Sequence, residues 1–485
     1  MDPLFSRLIL ALYYFFLGSL ALYGVHRLAM VALYYRTRAG SIPRPPEPES
    51  WPRVTVQLPL YNELYVATRL VDAVCDLDYP QDRLEIQVLD DSTDKTREIV
   101  EQRVAHQRSL GVDIHHLHRR DRRGFKAGAL EAGSRRARGQ LLAVFDADFV
   151  PRPDFLRRTV PYFVDPEIGM VQARWDHLNR AYSLLTRVQS IFLDGHFVIE
   201  HAARNRAGLF FNFNGTAGIW RREAIAKAGG WQHDTLTEDL DLSYRAQLAG
   251  WKFLFLPQVT VPAELPVDVN AFKRQQFRWA KGSIQTARKL LGEILCSPFG
   301  WWVKLEALIH LTCNAAYLLM VGLSLLVFPA MLLRADTDWP LLLLVDLPLF
   351  LTASVSVLVF YVVSQIGAGR SWGQGLRYLV PLMGLGIGLA VNNARAVLEG
   401  LVHKGGVFER TPKYRIEQSG DGWRGKGYRV PRDLSVLIEG VLAVCFVLCF
   451  GLAWVLDMWP SLFFLYLFLH GYTYVFLLSV MPART

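Results

Sequence analysis

Two aspartates one residue apart, Asp146-Ala147-Asp148, follow an apolar run from Leu141 to Phe145. Paired carboxylates at the end of a strand suit a hard divalent cation, since Mg2+ and Mn2+ prefer oxygen ligands and usually share them with a substrate's phosphates. A lone pair of this kind also closes turns and caps helices, so the case rests on its company. Pro59-Leu60-Tyr61-Asn62-Glu63 ends an earlier apolar run, and Asp90-Asp91-Ser92-Thr93-Asp94 ends another. Between them and Asp146, the run Arg119-Arg120-Asp121-Arg122-Arg123-Gly124-Phe125-Lys126 is basic enough to take phosphates. Downstream, Thr237-Glu238-Asp239 opens a helical pattern through Leu240, Leu242, Tyr244 and Leu248 to Gly250. Its acids have a plainer alternative as partners of the helix dipole. Gln275-Gln276-Phe277-Arg278-Trp279 then lies in a partly amphipathic segment, where an interfacial anchor is the simpler alternative. There is no Walker A sequence and no GxGxxG fingerprint, which weighs against an NTPase or a dinucleotide oxidoreductase.

The elements that must position these residues are legible as alternation. Val54 to Leu58, Ile86 to Leu89, Val112 to Leu117 and Leu141 to Phe145 read as strands; Tyr65 to Asp76, Lys95 to Ser109 and Gly128 to Ala137 read as helices. Such alternation predicts a parallel sheet with helices on both faces. Open α/β sheets bind ligands beyond the carboxyl ends of their strands, where the acidic segments and the basic run would converge.

The chain has 485 residues, 52% hydrophobic and 20% charged, with a net charge of +9. The apolar excess is concentrated before residue 36 and after residue 300, so a charged globular region is inserted between membrane segments. A purely soluble, collagen-like or disordered chain is excluded. The five cysteines form no CxxC pair, and neither a disulfide framework nor a zinc site is expected. Leu8 to Tyr35 is too long for a signal-peptide core and has no cleavage site after it, so it is expected to be a retained transmembrane helix. Arg36, Arg38 and Arg44 flank its C-terminal end against Arg7 alone before it, which places the globular region in the cytosol. Further spans are expected at Leu305 to Leu333, Leu341 to Ile366, Leu434 to Leu456 and Trp459 to Val480. Leu376 to Leu401 is apolar for only about 15 residues, short of the ~20 that a span needs. It is read as an interfacial helix, leaving five spans. The segment from 403 to 433, rich in Lys and Arg, then stays cytosolic, and Arg334 to Pro340 faces outward. Six spans, with that basic segment outside, is the alternative.

In order and spacing these motifs resemble the processive family 2 glycosyltransferases, which include cellulose synthases, mannan and glucan synthase-like proteins, and hyaluronan and chitin synthases. The signature is an aspartate of the first nucleotide motif, a DxD, a TED-type aspartate and Q(Q/R)xRW; here 35 residues separate Asp239 from Gln275. Asn214-Gly215-Thr216-Ala217-Gly218 is similar to the family's small-residue stretch. Phe408-Glu409-Arg410-Thr411-Pro412-Lys413 resembles the FxVTxK gating loop of bacterial cellulose synthases, and more closely the FxRTPK form of plant mannan and glucan synthase-like proteins. Arg410 stands at the valine position of the bacterial form. No PilZ-like domain follows, so cyclic-di-GMP control through one is not expected.

The resemblance implies a mostly parallel, Rossmann-like GT-A domain at 37–264, inserted between a transmembrane helix at 1–36 and later membrane segments. Those are interfacial helices with the QQFRW motif at 265–300, a helix pair at 301–366, an interfacial helix with the gating loop at 367–433, and a pair at 434–485. It implies that Tyr61, Glu63, Asp90 and Asp91 hold the nucleotide, and that Asp146 and Asp148 meet the nucleotide sugar and a Mg2+ or Mn2+ ion, with Asp148 favoured as direct ligand. Lys126, Gln275 and Arg278 would face the diphosphate, and Phe408, Thr411 and Lys413 would cover the donor. Asp239 would be the general base beside Glu238, with Trp279 and Gln276 on the acceptor. The implied partners are a nucleotide-sugar donor, a growing polysaccharide and the lipid bilayer, in a plasma membrane or, in a eukaryote, the Golgi. UDP-glucose and GDP-mannose both remain open, as does single-sugar transfer to a lipid instead of polymerisation. Trp301, Trp302, Tyr317 and Tyr361 could line a polymer channel or form an aromatic belt. A transporter finds little support, with Asp346 and His310 the prominent polar interruptions of the strong spans. The positive charge suits cytosolic loops facing anionic lipid, and no nucleic-acid partner is expected.

Overall fold

The computed structural model describes residues 3–481 apart from 39, 41, 335–338, 429, 430 and 432. Seven strands form one sheet: β1 Val54–Leu60, β2 Leu84–Asp90, β3 Ile114–His118, β4 Leu141–Val144, β5 Ile168–His177, β6 Gly218–Arg221 and β7 Lys252–Ala263. Their order is β3-β2-β1-β4-β6-β5-β7. β1 runs parallel to β2 and β4, β2 to β3, and β5 to β7; only β6 is antiparallel, to both β4 and β5. The expected strands and helices of the first half are all present, the helices being Ala67–Cys75, Thr96–Ser109 and Phe125–Arg136.

Period-two alternation divides the core between the two faces of the sheet. Leu141 and Ala143 of β4 join Val56, Leu58 and Ile86 on one face. Leu142 and Val144 pack on the other with Leu89 and Trp220. Register then sets the site: Leu60 pairs with Asp90, and Gln57 with Val144, so the chain leaves β1, β2 and β4 at one edge.

Among the described residues five helices are long and apolar enough to cross a membrane: Pro3–Thr37, Ala315–Leu332, Leu344–Gly367, Ser435–Val455 and Ser461–Val480. Their exposed apolar side chains, such as Leu344, Val355, Val444 and Val447, suit a lipid surround. Two expectations need correction. The apolar stretch Leu305 to Leu333 is not one helix: Trp301–Thr312 ends at Cys313 and Ala315–Leu332 begins anew, while Asn314 Nδ2 donates to Ser283 Oγ at 2.8 Å. Leu376 to Leu401 is likewise divided, into Leu379–Gly388 and Ala390–Val402, and at 10 and 13 residues neither can span alone. Of the outward loop expected at Arg334 to Pro340, Asp336 and Asp338 lie outside the described residues, as do Arg429 and Arg432 of the basic segment.

The segment after Ala390–Val402 returns to the sheet. Gly405 N–H donates to Asp234 O at 2.9 Å, and Tyr414 N–H to Glu264 at 2.8 Å. That return keeps it on the sheet's side of the membrane helices, in agreement with the five-span count. Trp301 and Trp302 stack on each other and are exposed. Tyr317 and Tyr361, by contrast, are partly buried in a cluster with Leu185, Leu382 and Val475.

Candidate active site

A cavity of about 170 Å³ opens at the carboxyl edge of the sheet. Its walls include Tyr61, Glu63, Asp91, Lys126, Asp146, Asp148, Glu238, Asp239, Gln275, Arg278 and Trp279, together with Phe408, Thr411 and Lys413. Two of the expected residues are not in that wall. Asp90 is fully buried beneath it, accepting from Ser92 N–H at 2.8 Å and paired with the His116 ring at 2.9 Å. Gln276 sits on the Val269–Cys296 helix outside the lining.

Turn chemistry fixes the strand ends. Asn62 takes a positive φ of 55°, which Asn tolerates better than most residues. Its side chain accepts from Thr93 N–H at 2.8 Å while its own N–H donates to Ser92 Oγ at 2.8 Å, tying the end of β1 to that of β2. Asp146 N–H donates to Thr216 Oγ1 at 2.9 Å, anchoring the DxD to the small-residue stretch. Gly124 and Phe125, with φ of 74° and 50°, turn the chain sharply into a helix that carries Lys126 in its first turn.

Lys126 is the hub of the cavity. Its ammonium lies 2.6 Å from Asp146 Oδ1 and 3.9 Å from Glu238 Oε1, and donates to Gly215 O at 2.9 Å. Burial disfavours that charge, but the Asp146 and Glu238 carboxylates outweigh it and hold the pKa above the usual lysine value. Asp239 opens its helix with Oδ1 bonded to Leu240 N–H at 2.9 Å, leaving Oδ2 toward Gly215. Enclosure, and then the adjacent Glu238 charge, push Asp239 up to about 7, a value suited to a base near neutrality. Glu63 is pushed up to about 8 by burial, against the opposing pull of Arg410.

The FERTPK segment closes over these groups. Lys413 Nζ meets Asp148 Oδ2 at 2.7 Å, and Arg410 lies 3.3 Å from Glu63. Arg278 donates to Glu409 O at 2.5 Å and places its guanidinium 4.4 Å from the centre of the Phe408 ring. Arg122 donates to Phe408 O at 3.3 Å and sets its guanidinium carbon over Tyr61, 3.4 Å from the ring centre.

Among the described residues no group of three or more His, Cys, Asp or Glu is preassembled as a metal cage. The DxD nonetheless fits a cation: each of its carboxylates faces the cavity with a lysine ammonium against it, so positive charge already stands where an ion would bind. Two hard oxygen donors lining the cavity match the Mg2+ or Mn2+ pattern, in which the substrate's phosphates complete the shell.

Sequence reasoning missed three partners. Glu264, just after β7, is buried and accepts from Tyr414 and Arg415 N–H at 2.8 and 2.9 Å, clamping the FERTPK segment at its base. Arg119 binds Asp91 through two hydrogen bonds of 2.7 and 2.5 Å, so part of the basic run is spent on the neighbouring acid. Trp175 sets its ring 6.5 Å from that of Trp279. An acid ending an apolar run was the available signal for Glu264.

Residues 52–282, which carry the sheet and every site residue before the FERTPK segment, match the family described as Glycosyltransferase like family 2. A probable glucomannan 4-beta-mannosyltransferase 7 of Oryza sativa subsp. japonica is 47% identical over 250 residues, 50% of this chain and 43% of that one. Over such stretches the chain spans about half the length of the curated relatives it matches, the glucomannan 4-beta-mannosyltransferase 2 of Arabidopsis thaliana being covered to 47%. A probable glucomannan 4-beta-mannosyltransferase 9 of Oryza sativa subsp. japonica is 37% identical over 396 residues, 79% of this chain and 72% of that one. The solved structure of a mannosyltransferase from Pyrobaculum calidifontis, in complex with GDP-Man and Mn2+, shares the fold with a TM-score of 0.53. It is 22% identical, and the likeness covers 80% of this chain and 99% of that one. With motifs, sheet and an extended match in agreement, the chain belongs to the family 2 glycosyltransferases.

Proposed function

We propose that this chain is a membrane-embedded, processive, inverting glycosyltransferase that extends a β-1,4-linked mannan or glucomannan from GDP-mannose and exports it between its membrane helices, with the catalytic domain in the cytosol. The observation that carries the chemistry is the single cavity in which Asp239, the DxD and the cations Lys126 and Arg278 meet beneath the FERTPK segment. The names of the plant relatives favour mannose over glucose as the donated sugar.

In this reading Tyr61, Glu63 and Asp91 hold the nucleoside. Asp146 and Asp148 would hold a divalent cation, which when bound neutralises the donor's diphosphate. Asp239 accepts the proton of the acceptor hydroxyl as that oxygen attacks the anomeric carbon. The carbon–oxygen bond to the diphosphate breaks with its electron pair on the leaving group, where Lys126 and Arg278 stabilise the growing negative charge. Attack from the opposite face converts an α-linked donor into a β-linkage. Trp279 offers its ring to the acceptor sugar.

Membranes containing the protein, incubated with labelled GDP-mannose or UDP-glucose, are expected to build a polymer from GDP-mannose that an endo-β-1,4-mannanase degrades. A product holding one sugar on a lipid would overturn polymerisation. Trp279→Ala is expected to reduce chain elongation about tenfold more than donor hydrolysis, the order of one aromatic stacking contact. An equal loss of both would remove Trp279 from the acceptor.

A further inference from the structure

A second cavity, of about 280 Å³, lies where the sheet domain meets the membrane helices. It is lined by Arg180, Arg187 and Arg377, with Gln365, Tyr378 and Ile191. Arg370 reaches the same place from just beyond the end of the Trp339–Gly367 helix.

Two of these guanidiniums, Arg180 and Arg370, meet one buried carboxylate, while Arg187 and Arg377 line the cavity itself. Asp194 pairs with Arg180 at 2.8 Å and with Arg370, and also accepts from Gln365 Nε2 at 3.1 Å. Gln365 Oε1 in turn accepts from Arg180 at 2.9 Å. These bonds account for Arg180 and Arg370. Arg187 and Arg377 are different: among the described residues neither has a carboxylate within ion-pair distance. Arg187 donates to Tyr378 Oη at 2.5 Å, and the two guanidiniums lie 5.2 and 5.7 Å from the Tyr378 ring centre. The local balance is cationic, in a partly enclosed space with forked donors, which is the chemistry that binds a phosphate.

The surroundings indicate the source of that phosphate. The short helix Trp372–Arg377 exposes Trp372 and Leu376, and Val380 and Leu184 are exposed nearby. Exposed apolar side chains beside a basic pocket, at the end of a membrane helix, match the level of lipid headgroups, where Trp is enriched. The pocket belongs to the leaflet facing the sheet domain, because the Trp339–Gly367 helix ends there with Phe360 packed among Phe197 and Val198. None of its lining residues shares the wall of the active-site cavity.

We propose that this pocket is a binding site for the phosphate of an anionic phospholipid, held by Arg187 and Arg377 with its acyl chains along Trp372, Leu376 and Val380.

The test uses the full-length protein in detergent and short-chain dihexanoyl phosphatidylglycerol, with dihexanoyl phosphatidylcholine and inorganic phosphate as separate probes, read as saturable shifts in Tm. Saturable binding of phosphatidylglycerol is expected, with an apparent affinity at least about tenfold above that for phosphatidylcholine, as excess anionic charge between forked guanidiniums would give. Arg377→Gln, at an exposed position where folding is not at stake, and Arg187→Gln/Arg377→Gln are both expected to weaken it, the double variant by about tenfold or more. Unchanged affinity in both variants would overturn the proposal. Equal binding of inorganic phosphate would assign the pocket to a free anion and overturn its lipid identity.

Discussion

Asp239→Asn is expected to lower sugar transfer by two to four orders of magnitude, about the range for a positioned general base, while donor affinity changes by less than about threefold. The distinction follows from placement: Asp239 Oδ2 faces the cavity beside Gly215, whereas of the cations that would hold the diphosphate Lys126 is paired with Asp146 and Glu238 and Arg278 is bonded to Glu409 O. Single-turnover transfer and equilibrium donor binding on the same membranes separate the two quantities, and retained turnover would remove Asp239 as the base. In the unaltered protein kcat/KM should rise with pH through about 7, because the carboxylate must be ionised to accept a proton. The stability sign is opposite. A carboxyl whose pKa is raised by folding contributes most when protonated, and that contribution is lost as pH rises through the folded value near 7. The Asn variant should therefore show a Tm at pH 8 no lower than the parent's, which separates a catalytic loss from an unfolded protein.

Gly215→Ala is the second large effect, a loss of about tenfold or more in kcat/KM, from a strained backbone and from crowding of two groups whose misplacement by about an ångström would cost about a hundredfold. The backbone at Gly215 has φ of +81°, in the left-handed region that favours glycine. A Cβ there would stand 3.0 Å from Asp239 Oδ2 and 3.2 Å from Lys126 Nζ. One methyl group thus disturbs the proposed base and the central cation together. Gly420→Ala makes the control, since a Cβ at that position meets nothing within 4 Å. Activity of Gly215→Ala within about threefold of the parent would show that the contact is not critical to placement.

What the sequence revealed and what it hid follow from range. β4 is a continuous apolar run buried on both faces, and β1 and β2 set apolar residues between Thr55, Gln57, Glu85 and Gln87, so the acids after all three were visible as strand ends. β7 was not visible, because Pro257 and Pro262 interrupt it; it lies at the sheet edge, where a missing N–H is tolerated. β6 has only four residues and draws its identity from its neighbours β4 and β5. The motif residues could be named because their spacing is local. Their partners could not: Arg122 on Tyr61, Arg410 beside Glu63 and Glu264 beneath Tyr414 join segments far apart in the chain. The division of Leu305 to Leu333 was hidden for the same reason, since apolar composition continues across Cys313 while Asn314 turns to a hydroxyl on another helix.

The FERTPK segment leaves the helix Ala390–Val402 and is followed by the membrane helix Ser435–Val455, so it is tethered at both ends. Opening it breaks Lys413–Asp148 and Arg410–Glu63 but cannot carry either cation away. In the function proposed above those side chains would act as ligands of high effective concentration, undiluted by the surrounding solvent. A donor that needs Asp148 and Glu63 competes with a partner built into the same chain, and its apparent affinity is reduced by the fraction of time that partner is seated.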